Sequence, residues 1–221
     1  MKISDRTVEI LKNFSAINTN ILIRPGNLLS TITVGQNIFA TAEINESFDR
    51  EFAVYDLNNF LGILTAQEGS EVVFGDDSLT VSKDHSFFKY YYAEKEIITA
   101  APDKTIPVVE FFSFKMDKGF LNLILKAAAI TAANTLTLEG DGKTVTVTVG
   151  DPDTPKTNTY SNVIGESDKV FKAHLAIENL KVIPGDYKVT ISPKNFIHFS
   201  NQDMNLQYWI GLEKTSEIPN G

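Results

Sequence analysis

The sequence predicts an α+β protein built from two similar halves. Helical amphipathic stretches are few and short, whereas alternating apolar and polar extended segments dominate. The elements also run in one order twice: helix, hairpin strands, strand, short helix and further strands from residue 1 to about 106, then again from about 112 onward. Finally, 221 residues suffice for two domains of about 110 residues, each large enough to bury a core without staples. The halves share order and not residues, so the repeat is architectural.

Ser4 and Asp5 can cap a first helix running to about Ile17, with Ile10, Leu11, Phe14 and Ile17 on one face, Glu9 and Lys12 roughly opposite and Arg6 on the flank. The extended segments NILIRPG, NLLSTITVG and NIFATAEIN follow, separated by turn signals at Gly26-Asn27 and Gly35-Gln36-Asn37. FAVYDL leads into a short helix over Leu57–Leu64, and EVVFGDDSLTVS reads as a hairpin turning at Gly75-Asp76-Asp77. In the aromatic run FFKYYYAEK (87–95), alternation favours one packed and one wet face; a subunit contact and single-strand stacking are the other readings. Asp117 opens a helix to about Ile130, with Phe120, Leu121, Ile124 and Ala128 on one face and Lys118, Asn122 and Lys126 on the other. TLTLEGDGKTVTVTV is a hairpin, apolar on one face and threonine on the other. Residues 150–168 read as a polar, Pro-containing loop. KVFKAHLAIENLKVIPGDYKVTIS reads as strand, short helix (about Leu175–Lys181) and strand, and FIHFS and LQYWIGLE as closing strands. The domain boundaries expected are 1–106 and 112–221, joined by a connector at 107–111 that Pro107 stiffens.

Composition removes several function classes. With no Cys, disulfides, thiolate nucleophiles and Cys-ligated metals are absent. His85, His174 and His198 have no ligand spacing, so no metal and no cofactor is expected. There is no Gly-rich phosphate loop and no GxSxG elbow, and DPDTP and GDDS are turns without ion-loop spacing, so no catalytic residue is assigned. The charged, amphipathic start MKISDRTVEILKNF does not read as a signal peptide, and no stretch approaches the ~18 apolar residues of a membrane helix. A soluble, intracellular protein is expected. Its −8 net charge argues against nucleic acid as a partner until the charge is located. The helical segments 1–15, 54–67, 115–130 and 169–181 together carry +4, leaving −12 for the strands and loops. Solvated lysines on exposed helix faces would give the same pattern.

Three motifs carry a resemblance. ILKNFSAIN (10–18), YDLNNFLGIL (55–64) and NLKVIPGDYKV (179–189), with their spacing and the total length, resemble the DNA polymerase sliding clamps of large tailed bacteriophages. The resemblance runs from Met1 to about Glu213 and is most specific in the first 65 residues. It implies two similar processivity-fold (DNA clamp) domains per subunit, with antiparallel sheets outside and two helices per domain inside. Three subunits would form a ring of pseudo-sixfold symmetry around duplex DNA. The implied partners are double-stranded DNA without sequence preference, the phage DNA polymerase, an ATP-driven clamp loader, transcription factors as further clients and two more copies of the chain. The implied location is the cytoplasm of the infected host cell.

The resemblance also assigns residues. Arg6, Lys12, Lys118, Lys126 and Lys181 would face DNA, as would Lys172 unless it precedes its helix. Asn58, Asn59 and Asn122 would supply uncharged polar groups that neither grip nor repel phosphate; simple capping or solvation of the helix is the alternative. A partner-peptide pocket maps onto Phe39, Ile106, Pro107 and Val108, flanked by Tyr208 and Trp209, with ordinary strand core the alternative for Trp209. Two competing readings remain: a β-rich structural virion or tail component, and a small carbohydrate- or peptide-processing enzyme built on scattered carboxylates.

Overall fold

In the computed structural model, which describes residues 1–67, 69–104, 106–151, 154 and 156–219, the chain divides into two compact units, Met1–Lys104 and Thr105–Gly221.

The first unit opens with α1 (Asp5–Ile17), where the Ser4 hydroxyl accepts from the Thr7 N–H at the N-cap. Thr7, Ile10, Leu11, Phe14 and Ile17 are buried, so the helix uses the apolar face its spacing predicts. Strands β1 (Ile21–Ile23), β2 (Gly26–Ile32), β3 (Ile38–Phe48) and β4 (Phe52–Val54) follow. β1 pairs with β4 and β2 with β3, both antiparallel. Helix α2 (Leu57–Thr65) is capped by Asp56, whose carboxylate accepts from the Asn59 N–H at 2.9 Å, and it buries Leu57, Phe60 and Leu61 beside α1. Removing such a side chain from water contributes about 1.5–3 kcal/mol, which holds a nine-residue helix too short to persist alone.

Strands β5 (Glu71–Phe74), β6 (Ser78–Lys83) and β7 (Ser86–Tyr91) complete the unit as an antiparallel meander. The first turn closes where the Gly75 N–H donates to the Ser78 carbonyl at 2.7 Å. From β7 onward the aromatic run alternates. Tyr90 packs edge-on to Phe60 and Tyr92 stacks on Phe52, while Phe87 and Tyr91 are 71% and 61% exposed, with the Lys89 ammonium over the Tyr91 ring.

The second unit contains β8 (Phe112–Met116), α3 (Lys118–Thr131), β9 (Thr135–Asp141), β10 (Thr144–Val149), β11 (Tyr160–Glu166), β12 (Val170–Ala176), β13 (Tyr187–Ser192), β14 (Phe196–Asn201) and β15 (Leu206–Gly211). Two antiparallel four-stranded arrays result, β11-β10-β9-β12 and β15-β14-β13-β8. Val145, Val147 and Val149 are buried along β10 while its threonines are half-buried, as the alternation requires. Helix α3 sinks Leu121, Ile124, Ala127 and Ala128 and packs on β10. In the β9–β10 turn Gly142 takes φ +84°, and the Asp141 carboxylate accepts from the Lys143 and Thr144 N–H groups.

Two expectations are corrected here. The short helix expected over Leu175–Lys181 is absent: β12 runs through Ala176, and Ile177–Asn179 form a single 3-10 turn closed by Leu180 N–H on the Ile177 carbonyl at 3.0 Å. Ala, Leu and Glu favour a helix locally, but Phe171, Ala173 and Leu175 are all buried at period two, and the sheet wins. The described residues therefore contain three α-helices. The loop expected over 150–168 instead holds β11, an end strand whose residues are exposed or half-buried on both faces and so lack the alternation that announces a strand.

Candidate nucleic-acid interface

The three helices present outward faces of different charge. On α1, Asp5, Glu9 and Lys12 recur at helical spacing on the exposed side and line one cleft of about 420 Å³ with Leu64, Gln67 and Ser70. Arg6 sits on the flank, half-buried, and its guanidinium reaches the Glu43 carbonyl on β3 at 3.5 Å. On α2 the exposed positions Asn58, Asn59 and Gly62 carry no charge; the Asn59 backbone N–H, and not its side chain, makes the cap bond. On α3, Lys118, Asn122 and Lys126 are exposed at i, i+4 and i+8, and residues 118–131 contain no carboxylate.

Carboxylates hold the start of each helix. The Glu46 side chain reaches from β3 to α1, accepting from the Ser4 N–H and, at 2.5 Å, from the Thr7 hydroxyl. Burial of Glu46 raises its pKa, but these hydrogen bonds together outweigh burial and leave it below the usual carboxylate value. At α3, Asp117 accepts from the Phe120 N–H at 2.7 Å and Asp186 from the Lys118 N–H at 2.8 Å. Asp186 comes from the PGDY turn. That turn is fixed in the core, where the Ile183 N–H donates to the Tyr208 hydroxyl at 3.1 Å and the Tyr187 hydroxyl donates to the Ile183 carbonyl at 2.5 Å. Glu46 and Asp186 escaped sequence reasoning because each acts on a helix distant in sequence.

Two lysines from the expected set lie off any α-helix. Lys172 is on β12, where its ammonium pairs with Glu139 at 3.1 Å directly across the ladder. It belongs to the strand that precedes the expected short helix. Lys181 follows the 3-10 turn, half-buried. The histidines stay apart: His174 bonds Thr137, His198 bonds Gln207, and His85 is exposed. No group of His, Asp or Glu among the described residues is arranged to hold a metal ion. No described helix is long and apolar enough to cross a membrane.

Residues 3–99 match the family model for the DNA polymerase processivity factor. The sliding clamp of Vibrio phage KVP40 is 30% identical over 221 residues, covering 96% of this chain and 99% of the relative. The chain belongs to the sliding-clamp family. The sliding clamp of Enterobacteria phage T4 is 29% identical, covering 88% of each chain. Among solved structures, the PCNA2–PCNA3 complex of Sulfolobus tokodaii matches with a TM-score of 0.68 at 11% identity, covering 95% of this chain and 96% of that one. The DNA polymerase III beta subunit of Pseudomonas aeruginosa gives 0.65 at 12% identity, covering 97% and 64%. These likenesses show the clamp fold, and with the phage relatives they make this chain a DNA polymerase processivity factor. The virion or tail component finds no support among them.

Of the clamp's expected peptide-pocket residues, Ile106 and Val108 are half-buried and Pro107 is exposed, in a segment of the second unit without regular secondary structure. The end of that segment is pinned: the Lys169 ammonium donates to the Phe111 carbonyl and lies 4.3 Å from its ring centre, and Glu110 pairs with Lys188 at 2.7 Å. Phe39 is only 4% exposed, within the β2–β3 ladder. Tyr208 is fully buried and the Trp209 ring lies tilted against His198 with ring centres 4.7 Å apart. Phe39, Tyr208 and Trp209 are all buried strand residues; Tyr208 and Trp209 are neighbours that turn to opposite faces, so β15 is covered on both sides there.

Proposed function

We propose that the chain forms a homotrimeric ring that encircles duplex DNA and tethers the phage DNA polymerase. On this reading it works without a catalytic centre in the cytoplasm of the infected host, is opened and closed by an ATP-driven clamp loader, and serves transcription factors as further clients. The observation that carries the proposal is the outward face of the helices: α2 offers only small uncharged groups and α3 only lysines, asparagine and apolar residues. Such faces attract phosphate diffusely without reading bases, which suits a protein that must stay on DNA and still move along it.

The sheet edges support ring closure. β7 ends the β5-β6-β7 sheet in the first unit, with Phe87, Phe88 and Tyr91 exposed. In the β11-β10-β9-β12 sheet, β12 is bridged by Glu217, which leaves β11 as the end strand, with Val163 61% exposed. Lys89 on β7 and Glu166 on β11 have opposite charge. Two different complementary edges make a head-to-tail joint, which closes into a ring when the rotation allows. A peptide docked on the pinned segment around Pro107 would tether the polymerase; the C-terminal region of FEN-1 is bound to A. fulgidus PCNA, a structure matching at TM-score 0.68 and 13% identity. Light scattering over a concentration series tests the assembly, with three times the 24.5-kDa subunit mass expected. Retention on circular DNA and loss from the same DNA once linearised tests encirclement. A strict monomer, or equal loss from both forms, overturns the proposal.

A further inference from the structure

We infer that the attraction for duplex DNA is concentrated on α3, chiefly at Lys126, so that the DNA-facing wall is attractive three times around the ring and not six. The inference rests on the encircling reading above. Lys118 and Lys126 lie eight residues apart on one exposed stripe, about 12 Å along the helix. They are not equivalent. Lys118 stands in the first turn, where the Asp117 and Asp186 carboxylates bond the backbone N–H groups of Phe120 and Lys118 and offset its charge. Lys126 is two turns further on, exposed, and its charge has no carboxylate anywhere on the helix to oppose it. Its neighbours on the same side are Leu123 and Ile130, 42% and 73% exposed, which add no charge.

The first unit contrasts with this. Asp5, Glu9 and Lys12 share one cleft, two carboxylates against one ammonium, and Glu9 is placed at i−3 to neutralise Lys12. Arg6 is turned toward the Glu43 carbonyl. Helix α2 has no charged residue at all, and its cap is the Asp56 carboxylate. At physiological salt such charges act over about 8 Å, so the groups beside each lysine on its own helix set its field.

The test is the salt dependence of ring retention on nicked circular duplex. Lys126→Ala removes three charges per ring, and the slope of log affinity against log salt should flatten by up to about 2.7, at about 0.9 per phosphate contact. Lys126→Arg should restore it, and Lys12→Ala should flatten it by less than half as much. Lys143→Ala, an equal change of net charge in the exposed β9–β10 turn, controls for overall charge and should leave the slope as it was. Equal flattening by Lys12→Ala and Lys126→Ala, or an unchanged slope in Lys126→Ala, overturns the inference while the ring stands. A parent protein not retained on circular DNA overturns the ring reading itself.

Discussion

Tyr208→Phe separates a core residue from a pocket residue by deleting one oxygen atom. Tyr208 has no exposed surface, and its hydroxyl accepts the Ile183 N–H at 3.1 Å in a buried setting. The opposite side of the same residue is held by the Tyr187 hydroxyl on the Ile183 carbonyl, and burial beside Tyr208 pushes the Tyr187 phenol far up. Phenylalanine keeps the ring and the packing but leaves the Ile183 N–H buried without this acceptor, at a cost of about 1–3 kcal/mol. For a chain of this size that lowers Tm by about 2–12 °C, at about 2–4 °C per kcal/mol. Differential scanning fluorimetry reads the shift, and titration of a polymerase-derived peptide well below both melting temperatures reads partner binding. The expected pair of results is a lower Tm with unchanged peptide affinity. An unchanged Tm with weakened peptide binding would refute the assignment of Tyr208 to the core.

Three further substitutions probe how two of the helices and the β9–β12 ladder are held. Glu46 has a depressed folded pKa, so the unfolded chain binds its proton first; the stabilisation is fully present above pH 4.5 and is lost as pH falls through the folded value. Glu46→Gln should therefore be less stable than the parent near neutral pH, with the gap narrowing below pH 4.5 in urea titrations, and a gap independent of pH counts against the Ser4–Glu46–Thr7 contact. Asp186→Asn weakens the second carboxylate at α3 and should cost about 0.5–2 kcal/mol, read as a lower urea midpoint with an unchanged m-value. Gly140→Ala would place its Cβ 2.6 Å from the Lys169 carbonyl oxygen and from the Phe171 ring, and this overpacking should cost about 1–3 kcal/mol by thermal melting; a neutral result would show that β9 and β12 can separate there.

Helices α1 and α3 were legible because each has a local start signal and a clean apolar stripe: Ser4 and Asp117 cap them, and Leu11 and Leu121 anchor their buried faces; α2 was legible as a short amphipathic run, but its cap proved to be Asp56 and not an asparagine. The β9–β10 hairpin was equally plain, since threonine and valine alternate without a break. What failed is non-local. β12 overrides the helix propensity of AIENLK because its ladder with β9, from Val170–Asp141 to Ala176–Thr135, is worth more than a single turn of helix. β11 is wet on both faces and has no pattern to read. For the candidate interface, the lysine and asparagine stripes followed from spacing alone. Their differing electrostatic settings depend on Glu46, Asp186 and Glu43, which come from β3 and the PGDY turn.

The capping pattern bears directly on sliding. A helix N-terminus is a ready-made phosphate site, with free N–H groups and a positive dipole end. Here the Thr7 N–H of α1 goes to Ser4 and the Ser4 N–H to Glu46, the Asn59 N–H of α2 goes to Asp56, and the Phe120 and Lys118 N–H groups of α3 go to Asp117 and Asp186. A carboxylate therefore stands at each of the three ends and would repel a phosphate that approached. Attraction then falls to lysine side chains, whose flexible stems and compact ammonium groups form no fixed fork with phosphate oxygens. A rigid, directional backbone site would pin the duplex in one register, whereas mobile point charges allow many registers of nearly equal energy. On the encircling reading, the same carboxylates that stabilise the helices would also keep them from holding DNA still, which is the balance a ring moving with a polymerase requires.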